Sequence, residues 1–239
     1  MDKKDFTFSE HLSELRDRMI KVLICITLGF IVSYFFSEFI ISLITKPISP
    51  YLSATEGKLI FISPFEKFFS YLMVSLFSSF VISSPFWFYH IWKFISPGLY
   101  KKEKKRTLLF SFSSFFLFIS GIFFVYFIVY PLSFRFLFNF GGEEIPYISL
   151  KPYLSFFLRT AFIFGFVFEL PIFLIGILNL NILSPKDLKK ARPYVITSIA
   201  VLSAIITPPD VFSMLFMMLP LYLLFEISLW IGQKFFYKN

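Results

Sequence analysis

Residues 107–134, TLLFSFSSFFLFISGIFFVYFIVYPLSF, run without a single charged side chain. About 20 apolar residues in a helix cross the hydrocarbon core of a bilayer. A chain that contains such a run must either insert it in lipid or bury it completely. The rest of the sequence follows suit. It is 57% hydrophobic with a mean hydropathy of +0.76, and its 16% of charged residues gather in a few clusters. Soluble domains carry about 25% charge. The expected fold class is an all-α membrane protein in which residues 1–239 form a single integral membrane domain.

Six transmembrane helices are predicted, over residues 19–37, 68–92, 108–130, 153–178, 193–207 and 212–233. The last two spans are short and are separated only by TPPDVF. A span of about 15 residues falls below the usual 17–25 and implies local thinning or a cramped hairpin. With six spans both termini share a side. Of the 23 basic residues, only Lys46, Lys58, Lys67, Arg135, Lys151 and Arg159 fall on the other side. The excess of cations marks the side of the termini as cytoplasmic. The first residues, MDKKDFTFSE, mix acids with bases and no small-residue cleavage site follows, so the first span is expected to stay as the insertion signal. The far-side loops, residues 38–67 and the stretch around GGEEIPYISLKPY, are long and rich in proline and aromatics, and are expected to form an ordered cap on the membrane surface.

The formal charge of +8 has its explanation in that asymmetry, and no soluble domain is left over to present a basic face to nucleic acid. The single cysteine, Cys25, lies inside the first span and has no partner for a disulfide or a metal site.

Ahead of the first span stands FSEHLSELRDRM, residues 8–19. Phe8, Leu12, Leu15 and Met19 recur at helical spacing. Thr7 and Glu10 have the spacing of a capping box, and Glu14 precedes Arg18 in the favourable i, i+4 order. One reading is an amphipathic helix lying in the interface with its charges self-paired. Glu103, alone among five cations in YKKEKKR, likewise reads either as relief of like-charge repulsion or as a carboxylate placed to receive a partner's cation. Carboxylates accept the guanidinium fork through two parallel hydrogen bonds.

HLSELRDRM, FWFYHIWKFISPGLYKKEKK, GFVFELP, SPKDLKKARPYVI and TPPDVFSMLFMMLPLYLLFEI stand in this order along nearly the whole chain. Together they resemble TatC, the core receptor subunit of the twin-arginine protein translocase. The resemblance implies a receptor that binds twin-arginine signal peptides at its cytoplasmic face and supports export of folded proteins driven by the proton-motive force. It places the chain in the bacterial inner membrane, with no cofactor and no metal. It implies TatA-family single-span proteins as partners, TatA and, where present, TatB, with self-association in the complex. By the same resemblance, Glu14 and Glu103 receive the arginine pair, Arg16, Phe94 and Tyr100 flank the site, and Phe94 packs apolar residues of the peptide. Pro47 matches a family proline in the first far-side loop.

Glu169 is the one acid deep in an apolar span. A charge at mid-bilayer costs about 2.5–3.5 kcal/mol on insertion scales, which makes such a residue a functional candidate. Pro171 is expected to kink the helix beside it, and Glu169 is expected to face partner helices or a local water defect. Glu226 lies toward the cytoplasmic end of the last span, and Asp210 in TPPD is a favoured residue type for an N-cap. Enzyme chemistry lacks its parts: His11 and His90 are the only histidines, and no HExxH or GxSxG occurs. A small-solute transporter or channel is the remaining alternative. Such folds usually show repeats and several polar residues at the midplane, whereas only Glu169 lies so deep here.

Overall fold

The computed structural model describes residues 8–52, 58–99, 104–139, 147–179, 183–206 and 211–236. These residues are helical almost throughout, and their one β-type pairing is an isolated parallel bridge between Ile60 and Ser149. In order, the helices are α1 (Phe8–Phe35), α2 (Ser37–Thr45), α3 (Pro64–Ile82), α4 (Ser84–Leu99), α5 (Lys104–Phe124), α6 (Tyr130–Asn139), α7 (Leu150–Val167), α8 (Leu170–Asn179), α9 (Pro185–Lys190), α10 (Arg192–Ile206) and α11 (Val211–Phe236). Among the described residues, four stretches are long and apolar enough to cross a membrane: Leu12–Phe35, Pro64–Ile82, Thr107–Asn139 and Leu150–Leu178. A shorter apolar helix covers Arg192–Ile205.

The charged front segment is no separate interfacial helix. It continues into the first span as one 28-residue α1, because no proline or glycine interrupts the chain between Phe8 and Leu28. The second predicted span, 68–92, divides instead at Ser83 into α3 and α4. Pro85 lies just past the division and has no N–H to carry the ladder through it. The third continues past its expected end at residue 130. Val125–Val129 form a π-helical turn that leads into α6. Pro131, four residues after Phe127, would clash with that residue's carbonyl in a regular α-helix, and the wider turn relieves the clash. The fourth bends where expected, at Phe168 and Glu169, two residues before Pro171.

α1 packs on α3 and α4, α5 lies between α4 and α7, α3 also meets α7, and α11 packs against α8 and α10. The main core holds Val74, Tyr130, Leu154, Ala161, Phe164 and Leu221, all fully buried. α5 and α7 come close because two glycines face the contact. A Cβ on Gly121 would stand 2.5 Å from the carbonyl oxygen of Phe164, and one on Gly165 would stand 2.6 Å from the ring of Phe118. Small residues at crossings of this kind are how helices pack tightly in lipid.

The two loops expected to form a cap are held by a few long-range hydrogen bonds. Two tyrosines tie down the last carbonyls of α2. Tyr126 Oη donates to the Leu43 carbonyl at 2.8 Å and Tyr153 Oη to the Ile44 carbonyl at 2.7 Å. The two far-side loops meet at the bridge, where Ile60 N–H donates to the Ile148 carbonyl and Leu150 N–H to the Ile60 carbonyl. Glu66, in the first turn of α3, accepts from the Ile62 N–H at 3.0 Å, the Lys151 N–H at 2.9 Å and the Ser149 hydroxyl. Ser149 is the N-cap residue of α7. One carboxylate therefore serves the start of two helices.

α9 opens with a capping box. The Asp187 N–H donates to Ser184 Oγ at 3.2 Å, and the Ser184 N–H donates to the Asp187 carboxylate at 3.0 Å. The Ser184 hydroxyl and amide hold the Asp187 carboxyl below its ordinary value of 3.8. A depressed carboxyl stabilises the turn above the unfolded value and withdraws that support as pH falls through the folded one. Hydrogen-exchange protection of residues 184–190 is accordingly expected to fall as pH drops below about 4, and Asp187→Asn is expected to remove that dependence while weakening the turn at neutral pH.

Candidate functional site

α1 and α4 bring two of the expected site residues to one place. Glu14 is half-buried and paired with Arg18, whose Nε donates to Glu14 Oε1 at 3.0 Å and whose Nη2 donates to the same oxygen. One helical turn separates the two, so the pair follows from the i, i+4 spacing. Arg18 also lines a groove of about 340 Å³, which Leu15, Trp87, His90 and Phe94 border as well. Phe94 is half-buried at that border. Arg16 is exposed and pairs with its neighbour Asp17 at 3.1 Å. Tyr100, Glu103 and Asp210, and Thr7 of the expected capping box, lie outside the described residues.

Glu169 sits at the bend between α7 and α8. Its Oε1 is buried with no hydrogen-bond partner among the described residues. Ser114 of α5 is the polar side chain beside it, and the Ser114 hydroxyl accepts from Trp92 Nε1 at 2.8 Å. Glu226 lies in the second half of α11. It is clamped between Arg192 Nη2 at 2.7 Å and the Tyr222 hydroxyl, also at 2.7 Å, so that it ties α11 to the start of α10. Pro47 lies in the turn after α2, next to Ile48, which is 1% exposed. Among the described residues no group of His, Cys, Asp and Glu has the arrangement of a metal site.

Sequence reasoning passed over three residues of the scaffold, Glu66, Tyr153 and Arg192. For Glu66 there was a local signal, since SPFE has the serine-to-glutamate spacing of a capping box. Tyr153 and Arg192 gave none, because their partners are remote in the chain.

The family model described as Sec-independent protein translocase protein (TatC) matches residues 10–220. The chain belongs to the TatC family. Its relatives include TatC of Desulforapulum autotrophicum, 41% identical over 97% of this chain and 86% of that one. TatC of Aquifex aeolicus is 37% identical over 94% of each chain. TatC of Escherichia coli K12 is 34% identical over 96% of this chain and 89% of that one. A crystal structure of the twin arginine translocase receptor TatC in DDM superposes with a TM-score of 0.82, at 37% identity, covering 93% of this chain and 99% of that one. The all-helical fold is thus the TatC fold, and the chain is a subunit of a Sec-independent protein translocase.

Proposed function

We propose that this TatC-family chain is the receptor for twin-arginine signal peptides, with Glu14 and Glu103 as the carboxylates that take the arginine pair. The observation that carries this reading is the state of Glu14. Its carboxylate already holds a guanidinium, that of Arg18, at the mouth of an apolar groove bordered by Phe94. A substrate arginine would take Arg18's place, exchanging one charge-assisted pair for another. Such an exchange gives selectivity for arginine without irreversible capture, since only the difference between the two pairs contributes to binding. Arg16 and Tyr100 are the flanking residues in this reading, and Phe94 packs the apolar residues that follow the arginines.

In this reading the chain crosses the bacterial inner membrane six times with both termini in the cytoplasm. The basic clusters around residues 101–106 and 186–192 support that orientation. The chain acts as receptor and scaffold, not as an enzyme. It gathers TatA-family single-span proteins, TatA and TatB where present, for export driven by the proton-motive force, and associates with further copies of itself. Glu169 and Glu226 then serve partner contact, and Pro47 and Asp210 fix loops on which assembly depends.

Site-specific crosslinking of a twin-arginine signal peptide to the purified protein tests the proposal. Crosslinks are expected near residues 8–19 and 94–106. They should fall about tenfold or more in Glu14→Ala and in Glu103→Ala, and vanish in the double variant and with a twin-lysine peptide. Crosslinking that ignores both carboxylates and the change to lysine would overturn the assignment.

A further inference from the structure

A serine hydroxyl has one proton to give and two lone pairs to fill, and inside a helix it often gives the proton to the carbonyl four residues back. On α5, Ser111 donates to the Thr107 carbonyl and Ser120 to the Phe116 carbonyl, each at 2.7 Å. Ser114, fully buried between them, makes no such bond among the described residues. It accepts instead from Trp92 Nε1 of α4 at 2.8 Å. The indole is seated against Phe110, with ring centroids 4.9 Å apart. A buried tryptophan N–H needs an acceptor, which accounts for the indole. It does not account for the proton that Ser114 withholds from its own helix.

The packing of α5 on α7 shows what stands on the other side of that hydroxyl. Gly121 lies against Phe164, and Phe118 lies against Gly165 and Phe166, so the two helices run antiparallel through the contact. One turn further along each helix, Ser114 comes opposite Glu169 and its hydroxyl faces the carboxyl. Glu169 Oε1 is buried at that place with no hydrogen-bond partner among the described residues. Buried polar atoms are ordinarily satisfied. Here an acceptor without a donor stands beside a donor turned away from its usual acceptor.

We propose that Trp92 and Ser114 are positioning residues for Glu169. The indole N–H fills the acceptor side of the Ser114 hydroxyl, which turns the hydroxyl proton off the α5 backbone and toward the Glu169 carboxyl. The relay joins three elements: α4 through Trp92, α5 through Ser114, and the bend between α7 and α8 through Glu169. Each hydrogen bond in such a chain polarises the next. Its effect is to hold the one deep carboxyl toward the bundle. The helix that begins the relay also carries Phe94, two residues past Trp92, at the border of the groove against α1. α4 thus borders the groove with one side chain and aims Glu169 with another. The relay itself assumes neither peptide nor partner, and only its bearing on partner contact rests on the role proposed above for Glu169.

Carbodiimide labelling reads the state of Glu169 directly. Dicyclohexylcarbodiimide enters apolar surroundings, and a protonated carboxyl adds across its C=N bond to give an acylurea with no leaving group. A carboxyl engaged by a fixed donor reacts more slowly than one released from it. In the purified full chain, labelling of Glu169 followed by peptide mass is expected to quicken roughly fivefold in Trp92→Phe, about the weight of one hydrogen bond. The phenylalanine keeps a ring against Phe110 and removes only the N–H. Ser114→Ala is expected to give the same increase, and the double variant no more than either, since both substitutions break one relay. Glu226, held by Arg192 and Tyr222 on α11, serves as the internal control and is expected to keep its parent rate. A substitution that merely loosens the bundle would quicken both carboxyls. Equal rates at Glu169 in all four proteins, quickening in Ser114→Ala alone, multiplied effects in the double variant, or parallel quickening at Glu226 would each overturn the proposal. No peptide or partner is present in the measurement, so failure of the receptor reading would leave these rates as they are.

Discussion

Replacing Gly121 by leucine is expected to abolish accumulation of the folded protein, and Gly121→Ala to destabilise it by about 2 kcal/mol. Inside a helix, alanine in place of glycine ordinarily gains about 1 kcal/mol in propensity. Here the new methyl would stand 2.5 Å from the Phe164 carbonyl oxygen, 2.9 Å from its carbon and 3.0 Å from the Gly165 Cα. All three are backbone atoms of α7, so no side-chain rotation relieves the clash and the two helices must move apart. Overpacking costs about 1–3 kcal/mol for added methylenes. A rigid neighbour puts the cost at the upper end, enough to outweigh the propensity gain. Leucine adds three more carbons to the same space. Separation of α5 from α7 would also strip the packing from Phe118, which is fully buried and whose ring lies against Gly165. Gly176 in α8 is the control, because a Cβ there would meet nothing within 4 Å. Gly176→Ala is expected to leave stability unchanged or raise it slightly. Thermal unfolding followed by size-exclusion in detergent separates the two outcomes. Equal midpoints for Gly121→Ala and Gly176→Ala would contradict the argument from close approach.

The second large effect is expected at Glu66. Its two oxygens accept from three donors on two loops, the Ile62 and Lys151 amides and the Ser149 hydroxyl. Lys151 lies in the first turn of α7, where amides have no intrahelical partner, and a negative charge there is favoured by the helix dipole. Glu66→Ala leaves all three donors unsatisfied at once and is expected to lower the unfolding midpoint by roughly 5–10 °C. It is also expected to open residues 58–63 to protease. Glu66→Gln is informative because it preserves shape. An amide has one oxygen and one NH₂, so in either orientation it sets donor against donor. A glutamine variant as stable as the parent would mean that packing, and not the carboxylate, holds the loops together.

The parts of this fold that were legible in the sequence are those decided by neighbours along the chain. The uncharged run from residue 107 required a membrane helix. The order of Glu14 and Arg18 required a pair on one helix face, and Pro171 required a bend beside Glu169. Other features depended on what the chain meets after folding. The break at Ser83 was not legible, since hydropathy over residues 68–92 stays high whether the helix runs straight or turns. The front helix was read as free to lie in the interface, although nothing in its sequence separates it from the span it joins. Tyr222 is four residues from Glu226 and could have been paired with it by spacing. Arg192 comes to Glu226 through the contact of α10 with α11. Of the residues proposed to take the arginine pair, Glu14 was legible as a helical carboxylate, while its place near Phe94 needed the approach of α1 to α4.

The double duty of Glu66 bears on how the protein is made. Its partner Lys151 is 85 residues further along the chain. At synthesis rates of about 5–20 residues per second, the Glu66 carboxylate must wait about 4–17 s with only its local partner, the Ile62 amide. During that interval the start of α3 lacks its contacts with Ser149 and Lys151, and residues 58–63 are expected to be open to protease. The contacts of Ile60 and Glu66 with residues 148–151 can form only once α7 arrives. Slowing translation between residues 66 and 151 would lengthen the exposure without altering any contact in the finished molecule.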